Sequence, residues 1–184
     1  MSDFESLWHF ITHRDYNVIV QEKSELEHIY TLATRCRSYL EVGTAEGNSL
    51  YVLSKALSLA SSVTYVDIGE PHTEKPRKEI VKLLEDGGLY VNEIVGNSHL
   101  RENIREAYSL APYDMVMIDA DHDYSSVIAD AIAYGPMARK FIVFHDIKLP
   151  DVQRAFDWYV YSQSFKRYYT FCNSENFGYG IIEV

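Results

Sequence analysis

The chain has 184 residues, 47% of them hydrophobic and 24% charged, a composition that fits one folded domain with a single substantial core. Its formal net charge of −10 speaks against nucleic acids and anionic membrane surfaces, which are bound through basic patches. The opening M-S-D-F-E-S-L-W-H-F lacks the basic region and apolar run of a secretory signal, and no stretch approaches the roughly 20 apolar residues of a membrane span, so a cytoplasmic location is expected. Cys36 and Cys172 are too few for a disulfide framework and read as reduced thiols.

Residues 2–11 and 21–37 read as helices, the second with Leu26, Ile29, Tyr30 and Ala33 at helical spacing, separated by the polar break T-H-R-D-Y-N. From residue 38 strands and helices alternate. A strand at 38–42 leads to a helix at 47–59 with Leu50, Leu53 and Leu57 on one face. A strand at 63–68 precedes a helix at 74–85, closed by Gly87-Gly88. A strand at 89–95, a helix at 99–110 and a strongly apolar strand at 114–118 follow. The pattern continues with a helix at 124–137, a strand at 140–144, and a helix at 151–163 entered through Pro150. Residues 165–172 and 179–184 are extended runs joined by N-S-E-N-F-G, which predicts an antiparallel hairpin. Strict alternation implies a doubly wound α/β sheet covered on both faces. The expected organisation is one domain over 1–184, with N-terminal helices at 1–37 and a core at 38–184.

Ligands of such sheets bind beyond the carboxyl ends of the strands, so those ends carry the functional information. The first ends in E-V-G-T-A-E-G-N-S, from Glu41 to Ser49. Gly43 allows a sharp turn and close approach of a ligand to the backbone; Gly47 allows a close start to the next helix, whose free N–H groups favour an anion. An ordinary glycine turn would look the same. The spacing is E-x-G-x-x-x-G, with Ala45 where a dinucleotide fingerprint requires its second glycine. Asp67 ends the second strand, where a carboxylate can accept both hydroxyls of a ribose or merely cap the strand. Gly96, Asn97 and Ser98 end the third, placed either to contact an adenine edge or to cap the next helix. The fourth ends in D-A-D-H-D-Y. Capping needs one acid, such as Asp123, and leaves Asp119, Asp121 and His122 to be explained. The fifth ends in F-H-D-I-K, bringing His145, Asp146 and Lys148 to the same sheet edge as Asp119.

Five consecutive strand ends, together with the closing F-G-Y-G-I-I-E-V, resemble the class I S-adenosylmethionine (SAM)-dependent methyltransferases from about Tyr39 to Val184. The D-x-D-H-x-Y segment and the H-D pair look like the subgroup containing metal-assisted O-methyltransferases of natural products and their sugars. The resemblance implies a Rossmann-like seven-stranded sheet in the order 3-2-1-4-5-7-6 with an antiparallel last strand. It implies a SAM site made of Glu41, Gly43, Thr44, Gly47, Asn48, Ser49, Asp67, Asn97, Ser98 and Asp119. The methionine end would lie near Gly43 and Gly47, and the ribose on Asp67.

Methyl transfer needs donor and acceptor held in line and a hydroxyl made nucleophilic. Asp119 and Asp146 are candidate ligands for Mg²⁺ or another divalent metal, and His122 is the candidate general base, with Lys148 next in line. His145 departs from an all-oxygen site: as a ligand it favours Mn²⁺, Fe²⁺ or Zn²⁺, and otherwise it stands behind the ligands or faces the substrate. The acceptor is expected to be a small molecule, and a homo-oligomer is compatible. Trp8, His9, Trp158 and Tyr159 are candidates for lining the acceptor pocket, although core packing explains an aromatic residue more often. Three rivals stand beside this reading: a nucleotide-binding oxidoreductase, a metal-dependent hydrolase, and a non-catalytic SAM-binding protein. The broken glycine spacing opposes the first, the otherwise unexplained Asp67 and glycine loop oppose the second, and fold alone does not exclude the third.

Overall fold

The computed structural model describes residues 3–14, 21–57, 62–173 and 177–184. Four expected features fall partly outside the described residues: the start of the first helix, the D-Y-N of the N-terminal break, positions 58–59 of the third helix, and 174–176 of the hairpin turn.

Strands β1 (Ser38–Val42), β2 (Ser62–Asp67), β3 (Tyr90–Val95), β4 (Tyr113–Ile118), β5 (Ala138–Phe144), β6 (Tyr168–Phe171) and β7 (Tyr179–Glu183) form one sheet. Its order is β3-β2-β1-β4-β5-β7-β6. The first five strands are parallel, and β7 runs antiparallel to both β5 and β6. This is the expected topology.

Helices α1 (Phe4–Thr12), α2 (Lys23–Ala33), α3 (Asn48–Ala56) and α4 (Pro71–Asp86) cover one face; α5 (Arg101–Ser109), α6 (Tyr124–Tyr134) and α7 (Pro150–Gln163) cover the other. The strands divide their side chains accordingly. Tyr39, Met115, Met117, Phe141 and Val143 join the first core, whereas Leu40, Val116, Ile118, Ile142 and Phe144 join the second. Burial on both faces explains why β4 reads as a continuous apolar run.

Helix ends depart from the periodicity for identifiable reasons. Against the expected 21–37, α2 stops at Ala33, where the Arg35 and Cys36 N–H groups turn back to Leu32 and Ala33 carbonyls and free the chain to enter β1. Helix α4 begins at Pro71 rather than 74, because proline is compatible with the first helical turn, and it continues through the buried Pro76. Helix α6 ends at Tyr134 rather than 137: Pro136 has no N–H to donate, and residues Gly135–Met137 tighten into a 3₁₀ turn.

Candidate functional site

The parallel ladder runs one residue beyond β1, β3, β4 and β5. The N–H groups of Gly43, Gly96, Asp119 and His145 donate to carbonyls of Val66, Asp67, Val42 and Ile118. Five strand ends are thereby held in one row, and the switch point between β1 and β4 opens a gap above them.

The loop after β1 is shaped by two carboxylates. Glu41 is wholly buried and accepts hydroxyl hydrogen bonds from Tyr39, Thr44 and Ser49. Burial pushes its carboxyl up to about 8, against the three hydroxyl donors. Asp67 Oδ2 accepts the N–H groups of Thr44 and Ala45 at 3.0 and 2.9 Å. Its Oδ1 accepts from Gly69 N–H and from the Arg77 guanidinium, at 2.8 and 2.9 Å. Arg77 is 2% exposed and also donates to the Ala45 carbonyl and the Thr73 hydroxyl. Four protein donors therefore occupy the acceptor capacity of the Asp67 carboxylate. Gly43 sits at φ +84°, and a Cβ there would stand 2.3 Å from Asp119 O and Ala120 Cα. The close approach that requires glycine is thus made by the β4 loop. Gly47, also left-handed, caps α3 without a side-chain hydrogen bond and packs on Ile80.

Two clefts flank this loop and share Gly43 and Ala120. One, of about 300 Å³, is lined by Thr44, Asn48, Ser49, Asp119, His122, His145 and Asp146, with Ile11, Gln21 and Phe177 around it. The other, also about 300 Å³, is lined by Val66, Asp67, Ile68, Glu70, Asn97, Ser98, His99 and Asp121. Asn97 accepts from the His99 N–H, and the Ser98 carbonyl accepts from the Tyr134 hydroxyl, which fixes this rim to α6.

In the first cleft the acid–histidine residues form one chain. His145 Nδ1 lies 2.9 Å from Asp119 Oδ1 and 3.4 Å from Asp146 Oδ2. His122 Nε2 lies 2.9 Å from the same Asp146 oxygen. Asp146 has φ +55°, a left-handed conformation that aspartate tolerates better than most side chains. This breaks the strand alternation, so that consecutive residues 145 and 146 both reach the cluster. Burial opposes a charged His145, but the adjacent Asp119 and Asp146 outweigh it and push the imidazole up to about 10. Burial would raise Asp146, yet the hydrogen bonds from His122 and His145 hold its carboxyl well below the usual range. Burial raises Asp119, against the pull of His145. The Asp146 contact raises His122, against its partial burial.

The structure brings together Gly43, Thr44, Asn48, Ser49, Asp119, His122, His145 and Asp146 on one cleft, with Gly47 and the buried Glu41 beneath the loop. It sets Asp67, Asn97 and Ser98 on the other. Lys148 is exposed and lines neither cleft. The aromatic candidates also lie elsewhere: Trp8 packs on Phe4, His9 on His13, Tyr159 is in the second core, and Trp158 is 42% exposed. Asp123 caps α6 through Ser125 and Ser126, as one acid there should. Sequence reasoning missed Arg77, Gln21 and Arg14, whose guanidinium donates to Asn48 Oδ1 and the Pro76 carbonyl. Arg77 lies in a helix rich in lysine and glutamate, where a basic residue looks solvated. Nothing local distinguishes Gln21.

A family profile described as a methyltransferase domain matches residues 40–147. No curated protein matches the sequence. Among solved structures, an O-methyltransferase from Bacillus cereus in complex with SAH is similar over 100% of this chain and 92% of its own, with a TM-score of 0.70 and 16% identity. The O-methyltransferase TomG from Streptomyces achromogenes, involved in tomaymycin synthesis and solved with SAM, covers 100% of this chain and 91% of its own, with a TM-score of 0.72 and 17% identity. A methyltransferase from Geobacter sulfurreducens covers 98% and 89%, with a TM-score of 0.66 and 15% identity. At these identities the likeness is one of fold.

Two outcomes follow from the loop. Gly43→Ala should destabilise the protein by about 2 kcal/mol or more in urea unfolding, because a left-handed residue gains a Cβ against backbone that cannot retreat. The Glu41 carboxyl is raised on folding, so its contribution to stability is complete below its ordinary pKa near 4.5 and is lost as pH rises toward about 8. Wild type should therefore lose stability relative to Glu41→Gln between pH 5 and 8. A gap that stays constant with pH would mean that Glu41 is ionised throughout.

Proposed function

The chain belongs to the methyltransferase-domain family, and on that premise we propose that it transfers the methyl group of SAM to a hydroxyl of a small molecule. The observation that carries the reading is the pair of clefts meeting at Gly43 and Ala120. The Asp67 cleft suits a nucleoside: Val66 and Ile68 offer apolar contact, Asn97 and Ser98 offer polar edges, and a ribose would lie against the loop that Asp67, its acceptor sites taken by protein donors rather than left for ribose hydroxyls, holds in place. The uncapped start of α3, at Asn48 and Ser49, suits the carboxylate of an amino acid. A sulfonium between them would present its methyl group toward His122 and the acid–histidine cluster. The Bacillus cereus and Streptomyces achromogenes proteins, solved with SAH and SAM, support the same cofactor.

His122 is the base in this reading. With Nε2–H donated to Asp146, its Nδ1 lone pair is left to accept the acceptor hydroxyl's proton. Asp119, His145 and Asp146 each offer one ligand atom, all within 4.8 Å of one another. Two carboxylates and an imidazole fit a divalent cation, with the nitrogen favouring Mn²⁺, Fe²⁺ or Zn²⁺ over Mg²⁺. Such an ion, when bound, lowers the pKa of a coordinated hydroxyl. A second reading, with no metal and His122–Asp146 alone removing the proton, is favoured by the 2.9 Å contact between those two side chains. A single domain over 1–184, a cytoplasmic location and a homo-oligomer are compatible with either reading. No helix among the described residues is long and apolar enough to cross a membrane.

The protein should bind S-adenosylhomocysteine in calorimetry and not NAD. Asp67→Asn should weaken that binding and also lower the melting temperature, since the same carboxylate holds Arg77 and the loop. His122→Ala should slow methyl transfer by about 10²–10⁴-fold with little change in cofactor affinity. Chelation should abolish transfer, and Mn²⁺ or Mg²⁺ should restore it. Full activity after exhaustive metal removal would leave the His122–Asp146 pair as the proton acceptor.

A further inference from the structure

One polar group on the first cleft has no assignment in the reading above. Gln21, two residues before α2, lines that cleft, and its Oε1 is buried with no hydrogen-bond partner. A buried amide oxygen left unmatched costs free energy, so such groups in folded proteins nearly always meet a donor. An amide oxygen can only accept, so its partner must be an N–H or O–H group, which a ligand in the cleft can supply.

Several other acceptors around the cleft already hold hydrogen bonds. Both Glu41 oxygens accept hydrogen bonds from hydroxyls, and the residue is 0% exposed. Asn48 Oδ1 accepts from Arg14. Asp119 Oδ1 accepts from His145, and Asp146 Oδ2 from His122. Glu46 is half-buried, and its charge acts on the Arg14 guanidinium. An amino-acid group lying with its carboxylate at the start of α3 brings a positively charged ammonium, and Gln21 Oε1 is a buried acceptor without a partner on the same cleft.

We propose that Gln21 is a cofactor-positioning residue whose side-chain oxygen accepts a hydrogen bond from the α-ammonium group of the bound amino-acid moiety. The assignment rests on the nucleoside–amino-acid reading of the two clefts. It gives the segment before α2 a direct part in choosing the ligand: a nucleoside thioether without the amino acid gains nothing from Gln21. It also fixes one end of the donor, which helps hold the sulfonium in line for transfer.

The test compares S-adenosylhomocysteine with 5′-methylthioadenosine, which keeps the nucleoside and sulfur but lacks the amino-acid group. In calorimetry, Gln21→Leu should weaken S-adenosylhomocysteine about tenfold or more and leave 5′-methylthioadenosine unchanged, the loss expected for a hydrogen bond to a charged group. Gln21→Glu should bind S-adenosylhomocysteine at least as tightly as wild type, since its carboxylate also accepts from an ammonium. Equal losses for both ligands in Gln21→Leu would mean a collapsed loop and would overturn the assignment, as would unchanged affinity for S-adenosylhomocysteine. A Glu46→Gln variant that loses S-adenosylhomocysteine while Gln21→Leu keeps it would give the ammonium to Glu46 and also overturn it. A wild-type chain that binds neither ligand would overturn the two-cleft reading and this assignment with it.

Discussion

The buried ion pair between Asp67 and Arg77 is the contact on which the geometry of both clefts depends. The two side chains are 7% and 3% exposed, and the charges meet at 2.9 Å. Taking two such ions out of water is expensive, and the pair is tolerable because the remaining acceptor capacity of Asp67 is filled by backbone N–H groups. Those N–H groups belong to Thr44 and Ala45 in the first loop and to Gly69 in the second. The pair therefore ties α4 to the tips of β1 and β2. Removing either partner alone would leave an uncompensated charge in the interior, and the loop bordering both clefts would lose its anchor.

The same contact bears on the rival readings. A dinucleotide fingerprint works by presenting free backbone N–H groups to a pyrophosphate and by having no Cβ in its path. Here Ala45 stands at φ +44° with a side chain, and the Thr44 and Ala45 N–H groups are already donated to Asp67. A pyrophosphate approaching this loop would meet a methyl group and occupied donors. A hydrolase using only the acid–histidine cluster would need neither the second cleft nor the fixed carboxylate at its edge.

Legibility in the sequence followed burial. β4 and β5 are enclosed on both sides, so their apolar runs announced strands and marked the polar residues after them as exceptional. Asp119, His122, His145 and Asp146 were found that way, and they converge. Roles that depend on distant partners were not legible. Arg77 is buried only because Asp67, ten residues earlier, waits beneath it. Gln21 lines the cleft from a point in the sequence well before the strand ends that form the rest of it. Lys148 illustrates the converse: it is adjacent to the cluster in sequence, yet it is exposed and lines neither cleft. The helix ends misjudged at 33, 71 and 134 were decided by turn hydrogen bonds and by where prolines fall within a turn.

The antiparallel strand that closes the sheet has a consequence for biosynthesis. His145 is supported by rings from the far end of the chain, with Tyr179 at 4.9 Å and Phe177 stacked at 6.2 Å, and the Ile147 N–H is held by the Gly178 carbonyl. A ribosome delivers the first five strands well before these residues, so a nascent chain can assemble the parallel sheet and the Asp67 cleft while the acid–histidine cluster still lacks its backing. The Asp67 cleft draws on none of these residues, whereas the acid–histidine cluster has its backing only once β7 lies between β5 and β6.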